Sequence, residues 1–303
     1  MATRAMEAGR PLGAARRRLG AAFWRRPWLR PVVLLLPPLA WMTILYLAAL
    51  GVLFVSAFWG VDAFTGKLVH TWSLANFDTL IHEPTYRTIA IRTIVMAALV
   101  TITDAIIALP FAYFMARIAP PRLRSLLFVL VLLPLWASYL GRIYAWRLIL
   151  AKEGALNWSL DKVGLPTVDI AYTNTAMWIV FSYIWLPFMI LPIYAAFERI
   201  PDSYLEASRD LGARNWTTFR RVILPLALPG IVAGSIFTFS LTLGDYITPD
   251  LIGSKDFIGN VIYRNVLGLT NNLPFAAAYA TVPLIVMAVY LALARRTGAF
   301  EAL

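Results

Sequence analysis

Two carboxylates stand inside long apolar stretches of the sequence. Asp104 lies within the run 93–116 and Asp245 within the run 229–248. A carboxylate removed from water costs free energy unless a cation or hydrogen-bond donors offset that cost, so such acids are candidates for a functional site. An acid with aromatic neighbours such as Tyr246, Trp136 or Trp185 could pass an organic cation by charge attraction and cation–π contact. The alternative for both acids is helix packing against Ser, Thr or Arg.

A polar insert, residues 198–228, separates two of the apolar runs. Ser203-x-x-Glu206 predicts a capping box at the start of a short helix, and Gly212 is placed to end that helix. The less polar stripe of this helix consists of Leu205, Ser208 and Leu211.

A second short helix is predicted after Gly212. Asn215 is placed to cap it, and Pro225 and Pro229 are expected to end it before the next apolar run. Its apolar residues at helical spacing are Trp216, Phe219, Val222 and Ile223. The basic face of the insert is formed by Arg209, Arg214, Arg220 and Arg221.

The sequence lacks the residues that are characteristic of several enzyme classes. The 303 residues contain no Cys and only two His, His70 and His82, which excludes disulfides, thiolate chemistry and a His-rich metal centre. The one Gly-Lys pair, Gly66-Lys67, is followed by Leu68, so no Walker A loop is present and the chain is not expected to hydrolyse ATP itself. We therefore expect no catalytic residues, no metal and no cofactor, and a membrane enzyme receives little support.

The composition indicates a membrane protein, with 60% apolar and 14% charged residues against about 45–50% and about 25% in soluble domains. A helix of roughly 20 apolar residues crosses a bilayer. The sequence predicts an all-α, polytopic protein with a 1–31 tail, a permeation domain over 32–294 and a 295–303 tail. Six transmembrane helices are predicted, over 32–58, 93–116, 125–149, 175–197, 229–248 and 275–294. Gly230-x-x-x-Gly234 predicts a close helix crossing in the fifth.

The distribution of charge predicts the orientation. The two tails and the loops 117–124 and 198–228 hold 18 of the 27 Lys and Arg and six of the 16 Asp and Glu, a net +12 against −1 for the remainder. Because positive residues stay on the cytoplasmic side, both termini are predicted to be cytoplasmic. This partition explains the pI of 10.1 without a nucleic-acid partner, and the Arg-rich tail suits solvent or lipid headgroups.

The insert resembles the signature loop of the inner-membrane permeases of binding-protein-dependent ABC importers. That signature is Glu-Ala-Ala-x3-Gly-x9-Ile-x-Leu-Pro. The matching residues are Glu206, Ala207, Ser208, Gly212, Val222, Leu224 and Pro225, with Ser for the second Ala and Val for Ile. The resemblance implies a type I importer (MetI-like) permease fold in the bacterial inner membrane, with a coupling helix that docks on a separate ATPase. The alternative is that Glu206 and Gly212 only cap and end an amphipathic hairpin.

Within this family the sequence looks most similar to the polyamine-type permeases. The stretches that carry this similarity are 134–146, 186–194, 244–253 and 258–262. The similarity implies import of spermidine or putrescine by alternating access. The implied partners are a dimer of ATPase subunits, a second permease that is a paralogue, and a periplasmic substrate-binding protein. Opines or amino-acid derivatives are alternative substrates. An ion-driven secondary carrier is disfavoured, because such carriers need no docking loop and commonly show inverted repeats.

Overall fold

The computed structural model describes residues 29–62, 65–268 and 271–296, and most of them are helical. The helices are α1 Leu29–Ser56, α2 Ala75–His82, α3 Pro84–Tyr113, α4 Pro121–Trp136, α5 Tyr139–Leu150, α6 Ala155–Lys162, α7 Asn174–Arg199, α8 Asp202–Asp210, α9 Asn215–Thr218, α10 Leu224–Gly244, α11 Ile247–Ile252, α12 Ile258–Leu267 and α13 Leu273–Arg296. A π-helical segment, Phe114–Ile118, extends α3, and a second, Phe219–Ile223, joins α9 to α10. Strands β1 Gly60–Val61 and β2 Leu68–Val69 pair antiparallel.

The two tails lie mainly outside the described residues. Of the predicted 1–31 tail only the first turn of α1 is described, and of the predicted 295–303 tail only the last turn of α13. Of the described residues, those from Leu29 to Val55 form one compact unit and those from Ser56 to Arg296 a second. The second unit contains every feature discussed below.

The prediction of six spans holds if one of them is bent. In the described residues, five helical segments are long and apolar enough to cross a membrane, and α4 with the α5–α6 segment forms a bent pair with an angle of 94°. The predicted transmembrane helix over 125–149 is therefore two helices, α4 and α5, and its prediction as one helix is wrong. Ala137 and Ser138 are extended at the bend. Pro134 lacks the N–H that would bond one turn back, which weakens the end of α4.

The prediction that Pro225 and Pro229 end a separate helix is also wrong. The chain stays helical from Asn215 to Gly244. Pro225 directly follows the π-helical segment and lies in the first turn of α10. A π turn departs from the regular i→i−4 bonding pattern, so a proline beside it interrupts fewer hydrogen bonds than in a regular helix interior. Pro229 lies inside α10, where it removes a backbone hydrogen bond without ending the helix.

Helices α3, α7 and α10 pack together as the core of the second unit. The close crossing predicted at Gly230-x-x-x-Gly234 is confirmed, and its partner is α7. A Cβ at Gly230 would collide with Ala196 and lie 2.6 Å from the carbonyl oxygen of Pro192, and one at Gly234 would lie 2.8 Å from Met189 Sδ. The absence of side chains at these glycines therefore lets the two backbones approach closely.

The bundle has two distinct ends. At the end named here the basal end, the side chain of Arg117 reaches Ile200, so the end of α3 and the segment 198–228 lie together. At the opposite end, Arg92 Nη1 donates to Asp256 O at 3.0 Å and the Tyr279 hydroxyl donates to Tyr86 O at 2.9 Å. The candidate docking residues lie at the basal end, and Asp245 lies towards the opposite one.

Candidate functional site

The segment 198–228 folds as a short helical hairpin of α8 and α9. Gly212 has φ +75°, its N–H donates to Arg209 O at 2.8 Å and the next N–H, of Ala213, donates to Ser208 O at 3.0 Å. These two bonds form a Schellman motif with glycine in the left-handed position. The prediction that Gly212 ends the first helix is therefore confirmed.

Three local predictions for the hairpin are wrong. Helix α8 begins at Asp202, one residue before the predicted cap Ser203, and has no side-chain cap bond. Asn215 is likewise already the first residue of α9 and does not cap it. Leu211 is 88% exposed, because it is the C-cap residue and its side chain does not continue the buried stripe of Leu205 and Ser208. In both cases the predicted cap residue lies inside the first turn of its helix.

The exposed residues of the hairpin surround an open groove of about 720 Å³. Ala207, Leu211 and Gly212 line the groove with Tyr204, and the neighbouring Glu206 is exposed. The four arginines predicted to form a basic face are all exposed, namely Arg209, Arg214, Arg220 and Arg221. Small residues, an apolar tip and mixed charge together give a surface suited to a protein partner.

Leu224 and Pro225, the last residues of the signature, differ in position from the others. Leu224 is half-buried at the start of α10, and Pro225 is exposed in its first turn. Both follow the π-helical segment that joins the hairpin to α10. Both residues therefore lie at the junction where the hairpin continues, as helix, into a long helix of the core.

Ser208, which replaces the second Ala of the signature, fastens the hairpin internally. Its side chain is buried, and its Oγ lies 2.9 Å from Thr218 Oγ1 on α9. A buried hydroxyl pair of this kind contributes about 1 kcal/mol, and removing one member leaves the other without its partner.

We expect Ser208→Ala to lower the thermal unfolding temperature of the detergent-solubilised protein, by the equivalent of about 1 kcal/mol. Ser208→Ala combined with Thr218→Val should recover part of that loss, because both polar groups are then removed. Ser203→Ala, an exposed serine of the same helix, is the matched control. Equal unfolding temperatures for Ser208→Ala and this control would contradict the assignment.

Asp245 lies where the polypeptide leaves α10 and enters α11. It is the C-cap residue of α10 and 9% exposed. Its Oδ1 accepts from the N–H of Ile247 at 2.8 Å, and its Oδ2 accepts from Thr248 Oγ1 at 2.6 Å and from the Tyr139 hydroxyl. The carboxylate therefore accepts from the first N–H of α11 and links that helix to α5. These bonds give Asp245 a packing role, and they are compatible with a role in cation passage.

Aromatic rings extend from this carboxylate. Trp185 is 8% exposed and stacks on Tyr139 with ring centroids 5.8 Å apart. Tyr246 stacks on Tyr263 at 4.5 Å. Trp136 is 91% exposed at the end of α4. Of the predicted aromatic residues, the structure thus brings Trp185 to Asp245 through Tyr139 and leaves Trp136 on the surface of the chain.

Tyr139 and Arg142 are the site residues that sequence reasoning missed. Tyr139 contacts Asp245 across 106 positions of sequence, and the guanidinium carbon of Arg142 lies 5.7 Å from the centre of the Tyr139 ring. Both belong to the stretch 134–146 that resembles the polyamine-type permeases, which was the available signal. The Tyr139 ring is therefore within cation–π distance of an arginine of the same chain.

Asp104 has a different environment. Its side chain is fully buried on α3, and in the described part of the chain neither carboxylate oxygen has a hydrogen-bond partner. Ser182 on α7 is a polar neighbour of this carboxylate. Thr103, the residue before Asp104, accepts a hydrogen bond at 3.0 Å from Trp178 Nε1, and this bond joins α7 to α3. The role of Asp104 stays a prediction.

Comparison with known proteins identifies the family. Residues 88–298 match the family model described as "Binding-protein-dependent transport system inner membrane component". The chain belongs to this family. The matched range runs from within α3 to beyond the end of α13, and it includes the hairpin and the Asp245 cluster. The chain is thus the membrane-spanning permease component of an ABC importer and a multi-pass inner-membrane protein.

Individual relatives extend the match to most of the permease. The permease is 46% identical over 295 residues to the inner membrane ABC transporter permease protein YdcU of Escherichia coli K12. This match covers 93% of this chain and 94% of the relative. The permease is 38% identical over 210 residues to the spermidine/putrescine transport system permease protein PotB of Haemophilus influenzae, covering 68% and 72%.

A solved structure shows the same fold. It is a chain of a bacterial alginate ABC transporter in complex with an alginate pentasaccharide-bound periplasmic protein, with a TM-score of 0.71 and 21% identity. The match covers 94% of this permease and 98% of that chain. The expected type I importer permease fold is therefore confirmed.

Proposed function

We propose that this permease is one half of the pore of a polyamine importer. The observation that carries the proposal is the similarity to permeases named for spermidine and putrescine transport, at 36% to 38% identity in several bacteria. The Asp245 cluster supports it, because a carboxylate with stacked aromatic rings suits an organic ammonium ion. Failure of putrescine and spermidine to enter cells through the complete system, under conditions where other solutes enter, would refute the polyamine assignment.

The transport cycle that we propose is driven by separate ATPase subunits. The hairpin of α8 and α9 docks in a groove of one ATPase subunit through Glu206, Ala207 and Gly212, while Leu224 and Pro225 transmit its movement to α10. Ser208, which the sequence placed in the docking set, is buried against Thr218 and holds the two helices of the hairpin together. Closure of the ATPase dimer on ATP brings the two hairpins of the permease pair together and tilts the core helices. The pathway then opens to a loaded periplasmic binding protein, and hydrolysis resets it.

The pore in this proposal pairs the permease with a paralogue. The pathway residues are Asp245, Tyr246, Trp185, Trp136 and Asp104, and the exposed Trp136 faces the second permease across the pore. Uptake of an opine or an amino-acid derivative by the same machinery is the second candidate. A secondary carrier would run on an ion gradient without ATP, so removing ATP separates that class from both.

Both termini are placed in the cytoplasm by this proposal, on the same side as the hairpin. The support is the partition of charge, with 18 of 27 basic residues on that side. We expect reporter fusions near residues 10 and 300 to give cytoplasmic signals, and a fusion within the loop 150–174 to give a periplasmic one. A periplasmic signal at either terminus would overturn the six-span topology.

A further inference from the structure

Arg117 joins three elements at the basal end. It lies in the π-helical segment that ends α3, and its side chain is 13% exposed. One arm, Nη1, donates to Asp202 Oδ1 at 2.7 Å. The other, Nη2, donates to Phe197 O at 2.6 Å and to Ile200 O. The guanidinium thus satisfies carbonyl groups at the C-terminus of α7 and bonds the first residue of α8.

This arrangement favours an arginine over a lysine. A planar guanidinium presents several donors in fixed directions, so it can bond a carboxylate and two carbonyls at once, which a lysine ammonium does less well. Bonds of this kind to a charged donor are among the strong hydrogen bonds of proteins. The negative charge of Asp202 also suits the N-terminus of α8.

The hairpin is covalently continuous with only two core helices, α7 before it and α10 after it. Helix α3 has no such connection to the hairpin. Its contacts there include the ring of Tyr113, which lies 5.6 Å from Phe219 and 5.7 Å from Phe197. Ring contacts of this kind tolerate sliding, whereas the Arg117 bonds fix a direction and a distance.

We propose that Arg117 is a positioning residue that makes α3 move with the coupling hairpin. Displacement of α8 by the ATPase then pulls on Asp202 and Ile200, and through Arg117 on the whole of α3, which carries the buried Asp104. This inference rests on the proposed function for the existence of the ATPase step. It adds a third core helix to the two that the hairpin moves through the backbone.

The test uses the complete complex of permease pair, ATPase and binding protein. Arg117→Gln should leave assembly and basal ATP hydrolysis in place and lower uptake about tenfold, the size expected for lost charge-assisted hydrogen bonds. Arg117→Lys should fall between this variant and the unmodified protein. Arg122→Gln removes an exposed charge from the first turn of α4 and should behave as unmodified.

A distance measurement separates transmission from simple stability. Because the chain has no Cys, the substitutions Ile118→Cys and Leu205→Cys give it two defined sites for spin labels. Ile118 and Leu205 line one cavity beside the Arg117 contacts. With Arg117 present, the separation of the labels should stay the same between the nucleotide-free and ATP-trapped complexes. With Arg117→Gln it should shift or broaden on ATP binding. Equal behaviour in both backgrounds would overturn the proposal.

Asp202→Asn keeps the proposal testable if Arg117→Gln does not accumulate. Its side chain is 80% exposed, so the substitution removes the charged partner with little effect on folding. We expect reduced uptake with normal assembly, and uptake equal to that of Arg122→Gln would overturn the proposal. The label separations are read without substrate, so a wrong polyamine assignment would not alter them. A complex that failed to bind ATPase would refute the docking step instead.

Discussion

Glu206→Lys reduces uptake to background while the permease remains inserted in the membrane. Glu206 is exposed on α8 beside the groove that Ala207 and Leu211 line. In the proposed docking, Glu206 meets a partner surface that accepts an acid, so reversing its charge brings like charges together, which at an interface costs several kcal/mol. We expect the amount of ATPase that co-purifies to fall at least about tenfold for the same reason.

Gly212→Val should have the same effect through the backbone. Gly212 has φ +75° and open space around it, so a β-branched residue strains the turn and adds bulk to the docking surface. Gly164→Val is the matched control, because Gly164 has φ +72° and equally open surroundings in the loop after α6. Glu153→Lys, an exposed acid in the loop before α6, is the control for charge reversal. If the docking variants transport as well as these controls, the hairpin is not the coupling element.

Asp245→Asn slows polyamine uptake, by about tenfold, without loss of assembly. The substitution keeps the size of the side chain and its ability to accept from the Ile247 N–H, but removes the negative charge that an organic cation would meet. Stimulation of ATP hydrolysis by loaded binding protein should persist. Assembly, hydrolysis and uptake are to be measured on one preparation.

The control for Asp245 is Asp250→Asn on the following helix. Asp250 pairs with Arg264 at 3.2 Å and is half-exposed, so its neutralisation alters charge at the same end without altering the buried cluster. Loss of expression or assembly in Asp245→Asn would assign this carboxylate to packing, through Tyr139 and Thr248. Unchanged uptake in an assembled complex would remove it from the pathway.

The sequence predicted the helices well and their interruptions poorly. The length of an apolar run reports how much helix a bilayer can hold, which located α7 and α13 closely. A break inside such a run leaves the apolar pattern unchanged, so the bend at Ala137 was not visible. Pro225 predicted a helix end, but the chain stays helical there because Pro225 directly follows a π turn.

The candidate site was predictable where its geometry is local. Gly212 and its turn depend on a few neighbouring residues, and the signature spacing located them. The partner of Asp245 is Tyr139, 106 positions away, and no local pattern encodes such a contact. The burial of Asp104 followed from its apolar surroundings, but which neighbours face it depends on the packing of α3 against α7.

The most direct test of polyamine import measures labelled putrescine and spermidine entering proteoliposomes that contain the permease, the proposed second permease and the ATPase. ATP is supplied on the ATPase side and the loaded binding protein on the other. The account predicts accumulation that requires both ATP and the binding protein and that is lost with Glu206→Lys. Accumulation of an opine or amino-acid derivative without either polyamine, or transport driven by an ion gradient in the absence of ATP, would contradict it.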